Sequence, residues 1–79
     1  MRGELENIRE MAEVNGWEEI DFQPENCMIS FCKDGIRRNV YFSKMTVGVC
    51  KDKKTEYFRR VTENEMSNIF IHLNPRGKL

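Results

Sequence analysis

The sequence predicts an α+β domain in which two helices pack on one face of a four-stranded antiparallel meander sheet, in the order α-β-β-β-β-α. Apolar residues recur at helical spacing near both ends of the chain, over residues 4–15 and 62–73, and the residues between them alternate as in strands. An Asp34-Gly35 pair joins two of these alternating segments, which is typical of a tight hairpin. A chain of 79 residues is expected to form a single domain, residues 1–79.

The first predicted helix covers residues 4–15. Its apolar stripe consists of Leu5, Ile8, Met11 and Ala12. Asn15-Gly16 is expected to end the helix, because glycine readily takes the left-handed conformation found at helix C-termini. Trp17 is expected to fold back onto the core. The segment "DFQPEN" (residues 21–26) is predicted to be a loop, with Pro24 interrupting regular structure.

Residues 27–43 are predicted to form a β-hairpin. A two-residue turn fixes the register, so that Phe31 lies opposite Arg38 and Ile29 lies opposite Val40. Because side chains alternate along a strand, each face has its own set of residues. The core face is predicted to carry Cys27, Ile29, Phe31, Ile36, Val40 and Phe42. The other face is predicted to carry Met28, Ser30, Cys32, Arg37, Asn39 and Tyr41.

Two more strands and a helix follow. "TVGVC" (46–50) is predicted to be the third strand and "TEYFRRV" (55–61) the fourth, with Phe58 facing the core. Strand alternation places Arg59 on the side of Tyr57 and Arg60 on the side of Phe58.

The last helix begins with "TENE", which has the form of a capping box in which Thr62 and Glu65 exchange hydrogen bonds. Its apolar stripe consists of Met66, Ile69, Phe70 and Leu73, and Asn74-Pro75 is expected to end it.

The formal net charge is zero, but the charges are unevenly distributed. Residues 1–26 hold two basic and eight acidic groups, and residues 27–60 hold nine basic and three acidic groups. Such an asymmetry is typical of a polyanion-binding surface beside an acidic one. The alternative is that the two halves neutralise each other by packing or are simply solvated.

No motif for catalysis or cofactor binding occurs, so neither catalytic residues nor a cofactor are predicted. Cys27, Cys32, Cys50 and His72 are the candidate metal ligands, but Cys27 and Cys32 are five residues apart on one predicted strand and point to opposite faces. No metal site is therefore predicted. An odd number of cysteines and the lack of a long apolar run indicate an intracellular protein of the cytoplasm or nucleus, with no membrane contact.

The open face of the predicted sheet is the best candidate for a binding surface. Its candidate residues are Arg37, Asn39, Tyr41, Tyr57 and Arg59. Arginines bind phosphates and tyrosines stack on bases, so a non-enzymatic module that binds nucleic acid or an acidic protein partner is expected. Protein–protein binding or homodimerisation through the same face is the alternative. Charges on exposed strands also serve simply to block aggregation.

Two resemblances bear on the fold. The order of elements is similar to that of the double-stranded-RNA-binding domain, but that family has a lysine cluster at the start of its last helix, where this chain has the acidic "TENE".

Residues 36–78 more closely resemble a small uncharacterised α+β family of plants and protists, whose members run R-I-N-V-Y, then T-V-G-T, then Q-L-F-R-R, a helix and N-P-R. The matching positions are Arg38, Asn39, Val40, Tyr41, Thr46, Val47, Gly48, Phe58, Arg59, Arg60 and 74–76. The chain has "CKDKK" where that family has a basic turn containing His-Pro. The resemblance implies a shared fold and supplies no activity.

Overall fold

A computed structural model of the chain describes residues 4–71 and 75–76, and these form two helices and a five-stranded antiparallel sheet. The elements are α1 (Glu4–Val14), β1 (Glu18–Gln23), β2 (Met28–Lys33), β3 (Ile36–Tyr41), β4 (Thr46–Lys51), β5 (Lys54–Phe58) and α2 (Glu63–Ile71). The strands pair in chain order, β1-β2-β3-β4-β5. The α+β class and the antiparallel meander are confirmed. Neither described helix is long and apolar enough to cross a membrane.

The predicted number of strands was wrong by one, because β1 lies in a region partly predicted to be a loop. It pairs with β2, with Phe22 opposite Ile29, and its register shifts between Glu19 and Asp21. This irregularity breaks the two-residue alternation by which a strand is recognised in a sequence. The expected interruption at Pro24 does occur, as a single 3₁₀ turn over Pro24–Asn26 that follows the strand.

The β2–β3 and β4–β5 hairpins both have two-residue turns in the left-handed region. Asp34 and Gly35 have φ values of 52° and 78°, and the predicted β2–β3 register is confirmed. The β4–β5 turn places Asp52 and Lys53 at φ values of 52° and 67°. Positive φ at both central positions gives the type I′ turn that matches the twist of the strands.

The core lies between the two helices and one face of the sheet. Its buried apolar residues are Ile8, Ala12, Ile29, Phe31, Val40, Val47, Val61, Met66, Ile69 and Phe70. The rings of Phe31 and Phe70 meet edge to face, with their centroids 5.4 Å apart. The predicted capping box is confirmed, since the Thr62 amide donates to Glu65 Oε1 at 3.1 Å and the Glu65 amide donates to Thr62 Oγ1 at 3.2 Å. The predicted helix positions 72–74 lie outside the described residues.

One charged residue lies among the apolar residues of the core face. Arg38 has no exposed surface, although the hairpin face it belongs to was expected to be apolar. Its Nε donates to the carbonyl oxygen of Ile69 at 3.4 Å, and its guanidinium lies 5.1 Å from the centre of the Trp17 ring. Trp17 Nε1 donates to the carbonyl oxygen of Phe70 at 3.1 Å, which confirms Trp17 as a core anchor. Arg38 and Trp17 thus each donate a hydrogen bond to a carbonyl group in the last turn of α2. Carbonyl groups in the last turn of a helix have no partner within the helix.

The last strand ends earlier than predicted. β5 stops at Phe58, and Arg60 is exposed with a φ of 53°. Arg60 therefore lies outside the strand. The prediction that strand alternation places it on the side of Phe58 does not apply. The chain is held after this bend by the Val61 amide, which donates to the carbonyl oxygen of Met45 at 2.8 Å.

Candidate nucleic-acid interface

The open face of the sheet is the face directed away from the two helices. Cross-strand register places Arg37, Asn39, Tyr41 and Tyr57 on this face, because they alternate with buried core residues on their strands. Arg59 follows β5 and lines a depression on the same face together with Tyr41 and Tyr57. The predicted binding residues thus share one surface, but they form two separate groups on it.

The first group is a hydrogen-bonded network around Asn39. Asn39 Oδ1 accepts from Arg37 Nε at 2.8 Å and from the hydroxyl of Ser30 at 2.7 Å. Arg37 Nη2 also donates to Ser30 Oγ at 3.3 Å, and Ser30 is fully buried although it lies on the open face. The Asn39 amide group points to Cys50 Sγ, 3.6 Å away. Asn39 is thus engaged within the sheet, and its effect is to orient the exposed Arg37.

The second group surrounds a shallow depression of about 500 Å³ at the other end of β3. This surface, which we call the tyrosine depression, is lined by Tyr41, Lys44, Thr46, Tyr57 and Arg59. Tyr41 is half-buried, whereas 56% of Tyr57 is exposed. Two phenol rings and two cationic side chains therefore meet in one concave surface. Arg37 lies four residues from Tyr41 along β3, a separation of about 13 Å.

The position of the Tyr57 ring depends on a glycine. Tyr57 lies directly opposite Gly48 in the β4–β5 ladder. A Cβ atom at position 48 would lie 3.0 Å from Tyr57 Cε1, which is closer than ordinary contact. The absence of a side chain at Gly48 thus lets the Tyr57 ring lie against the backbone of β4 and leaves its outer surface facing solvent.

The charge of the open face changes across the sheet. Glu18 lies opposite Cys32 and Asp21 lies opposite Ser30, so both carboxylates are on the open face at the β1 edge. Lys44 and Arg59 lie at the opposite side of the sheet, in the tyrosine depression. An anionic ligand is therefore attracted to the β3–β5 half of the face and repelled from the β1 edge.

Three residues of this surface were missed in the sequence. Lys44 lies within the β3–β4 turn, whose geometry the sequence does not fix, and Thr46 is the first residue of β4. Ser30 was placed on the face without a role. Thr46 pairs with Tyr41 in the β3–β4 ladder, so correct pairing of these two strands is the signal that identifies it. Lys44 has no comparable signal, because it lies between the strands.

Among residues 4–71 and 75–76, no three histidine, cysteine, aspartate or glutamate side chains lie together so that they could hold a metal ion. Cys27, Cys32 and Cys50 are free thiols. His72, the fourth candidate ligand, lies outside the described residues.

Comparison with models of protein families, with curated proteins and with solved structures finds no match for this chain. The resemblance of residues 36–78 to the plant and protist family stays a prediction.

Proposed function

We propose that this protein is a non-enzymatic binding module for single-stranded nucleic acid and that the tyrosine depression is its binding site. The observation that carries the proposal is the meeting of Tyr41, Tyr57, Lys44 and Arg59 around one concave surface. Aromatic side chains stack on unpaired bases, and cationic side chains beside them neutralise the phosphates that connect those bases.

The exposed ring of Tyr57 is the main stacking platform in this proposal. It is held over Gly48, so little conformational freedom is lost when a base stacks on its outer surface. Arg59 and Lys44 lie beside it and contact phosphates. Arg37, fixed by Asn39 and Ser30 about 13 Å away along β3, provides a further phosphate contact for a strand that continues along the sheet.

A single strand suits this surface better than a duplex. Stacking requires bases that are not already paired within a helix. The carboxylates of Glu18 and Asp21 also oppose a broad polyanion that would cover the whole sheet. A narrow, flexible strand reaches the β3–β5 half of the face without crossing the acidic edge.

The proposal is tested by fluorescence anisotropy with labelled single-stranded RNA, single-stranded DNA and duplex oligonucleotides over a range of salt concentrations. Single strands are expected to bind more tightly than the duplex. Tyr57→Ala should weaken binding by about 5- to 150-fold, because base stacking contributes about 1–3 kcal/mol, whereas Tyr57→Phe should retain most of the affinity. Arg59→Gln should lower the slope of log K against log salt by about 0.7.

Arg60→Gln is the matched control, because it removes the same charge from the neighbouring exposed residue, which does not line the depression. It should leave the affinity nearly unchanged. The proposal is rejected if no oligonucleotide binds at about 20 mM salt, or if Tyr57→Ala binds as tightly as the unchanged protein. A surface that binds acidic peptides but no oligonucleotide would instead support the acidic protein partner.

A further inference from the structure

We propose that the groove between α1 and α2 is a second interaction surface, which binds a basic amphipathic helix of a partner protein. This helix groove has a volume of about 410 Å³. Its apolar lining consists of Ile8, Met11, Val14, Met45, Met66 and Ile71. It lies on the helical side of the domain, away from the open sheet face, and the inference does not depend on the function proposed for that face.

The apolar lining is graded from the core to the surface. Ile8 and Met66 form the bottom of the groove and are almost fully buried. Val14 and Ile71 are 76% and 62% exposed. Exposed aliphatic side chains bordering a concave apolar surface are a common feature of interaction sites. A volume of this size lies within the range of about 300–1,000 Å³ found for ligand-binding clefts.

Three methionines contribute to the helix groove, one from each element that borders it. Met11 belongs to α1, Met66 belongs to α2, and Met45 belongs to the turn between β3 and β4. Methionine has an unbranched and flexible side chain, and it is frequent in surfaces that adapt to the apolar face of a bound helix. The groove therefore has the lining expected for helix recognition.

The charge of the partner follows from the acidic residues along the groove. Glu4 and Glu63 line it from the first turns of α1 and α2 and are exposed. Among the described residues that line the groove there is no lysine or arginine. A helix with apolar residues on one face and lysine or arginine beside them complements both properties, because the cations pair with the carboxylates as the apolar residues enter the groove.

The same charges disfavour other occupants. A second copy of this chain would present the acidic surface of its own α1, which contains Glu4, Glu6, Glu10 and Glu13, and like charges would oppose each other. An anionic membrane surface is disfavoured for the same reason.

The experiment uses three labelled synthetic peptides of about 18 residues, or five helical turns. The first has leucines at helical spacing and lysines on its other face, the second replaces lysine by glutamate, and the third is a scrambled form of the first. Anisotropy should show salt-sensitive binding of the leucine–lysine peptide, at least about tenfold tighter than binding of either other peptide. Circular dichroism should show the peptide gaining helix when it binds.

Variants of the groove separate specific binding from charge attraction. The double variant Val14→Ser, Ile71→Ser should bind the leucine–lysine peptide about tenfold or more weakly than the unchanged protein, because both side chains belong to the apolar lining. Ile20→Ser is the matched control, since Ile20 is also an exposed aliphatic residue but does not line the groove. Thermal unfolding confirms that each variant is folded.

Methyl NMR of methionine-labelled protein gives an independent readout. The peptide should shift the methyl signals of Met11, Met45 and Met66 and leave that of Met28, on the open sheet face, in place. The inference is overturned if the scrambled or acidic peptide binds as well as the leucine–lysine peptide, if the double variant binds unchanged, or if Met28 responds in place of the groove methionines.

Discussion

Arg38 is a fully buried charged residue, and its surroundings explain how the core accommodates it. Its guanidinium lies over the Trp17 ring, and its Nε donates to the carbonyl oxygen of Ile69 near the C-terminus of α2, where the helix dipole is negative. Burial lowers the pKa of Arg38 from its ordinary value. Because that ordinary value is so high, the side chain still carries its charge at neutral pH. A cation in this position links β3, Trp17 and α2.

Replacing Arg38 should destabilise the domain through both lost packing and lost hydrogen bonds. Arg38→Ala is expected to lower the free energy of unfolding by about 2–4 kcal/mol, because it leaves a cavity and removes the hydrogen bond to the carbonyl oxygen of Ile69. Arg38→Met should recover part of this loss by filling the volume. Urea denaturation measures both variants. Arg59→Ala, at an exposed position, should change stability by less than about 0.5 kcal/mol. An equal effect of Arg38→Ala and Arg59→Ala would contradict this account.

The candidate site was partly predictable at the level of single residues. The alternation of strands was sufficient to group Arg37, Asn39 and Tyr41 and to place Tyr57 on the same face, because side-chain direction along a strand is a local property. Arg59 follows the end of β5, so alternation does not fix its place in the tyrosine depression. It was not sufficient to show that Asn39 is engaged by Ser30 and Arg37, or that Lys44 joins the tyrosines. Those facts depend on how separate strands and turns approach each other.

At the level of elements, the two hairpin turns provide a comparison within one molecule. Both are two-residue turns that begin with aspartate, and both have positive φ at their second position. That second residue is Gly35 in one turn and Lys53 in the other. The left-handed region is unfavourable for residues with a side chain by about 1–2 kcal/mol, but glycine takes it readily. The β4–β5 turn is therefore the more strained of the two.

Exchanging these residues should shift stability in opposite directions. Lys53→Gly is expected to raise the free energy of unfolding by about 0.5–1 kcal/mol. The change removes the strain of a left-handed lysine, and part of this gain is offset because glycine makes the unfolded chain more flexible. Gly35→Lys should lower it by about the same amount or more. Urea denaturation measures each change. Lys53→Gln removes the charge but keeps the strain, so an effect as large as that of Lys53→Gly would show that charge repulsion in the turn is responsible.

The elements differ in how well they could be predicted from the sequence. The capping box of α2 and the β2–β3 register were predicted because their causes lie within a few residues of each other. β1 was not predicted in full, because its register shift interrupts the alternating pattern and its stability comes from pairing with β2. An edge strand of this kind is defined by its neighbour more than by its own sequence.

At the scale of the whole molecule, the uneven charge seen along the sequence becomes a difference between surfaces. Glu4 and Glu63 line the helix groove, whereas Lys44 and Arg59 line the tyrosine depression. The core and the sheet separate the two. A polyanion and a basic helix are thus directed to different sides of one small domain, and neither is expected to displace the other.

The two proposed ligands should therefore bind simultaneously. In the presence of a saturating leucine–lysine peptide, the affinity for a single-stranded oligonucleotide should change by less than about threefold, or about 0.7 kcal/mol. Anisotropy of the labelled oligonucleotide measures this, with sedimentation to show that all three components are in one complex. Direct binding of the peptide to the oligonucleotide is measured without protein as the control. Mutual displacement would show that both ligands use one surface.

The sequence by itself determined the helices, the capping box, the register of the β2–β3 hairpin and the residues that its open face carries. Each of these has a cause that acts over a few residues: a period, a turn or a cap. Only the tertiary structure decided the burial of Arg38, the fifth strand, the tyrosine depression and the helix groove. These features require segments distant in the chain to meet, as Trp17 meets Phe70 across 53 positions. Such contacts are selected by the packing of the whole core, which no local pattern specifies.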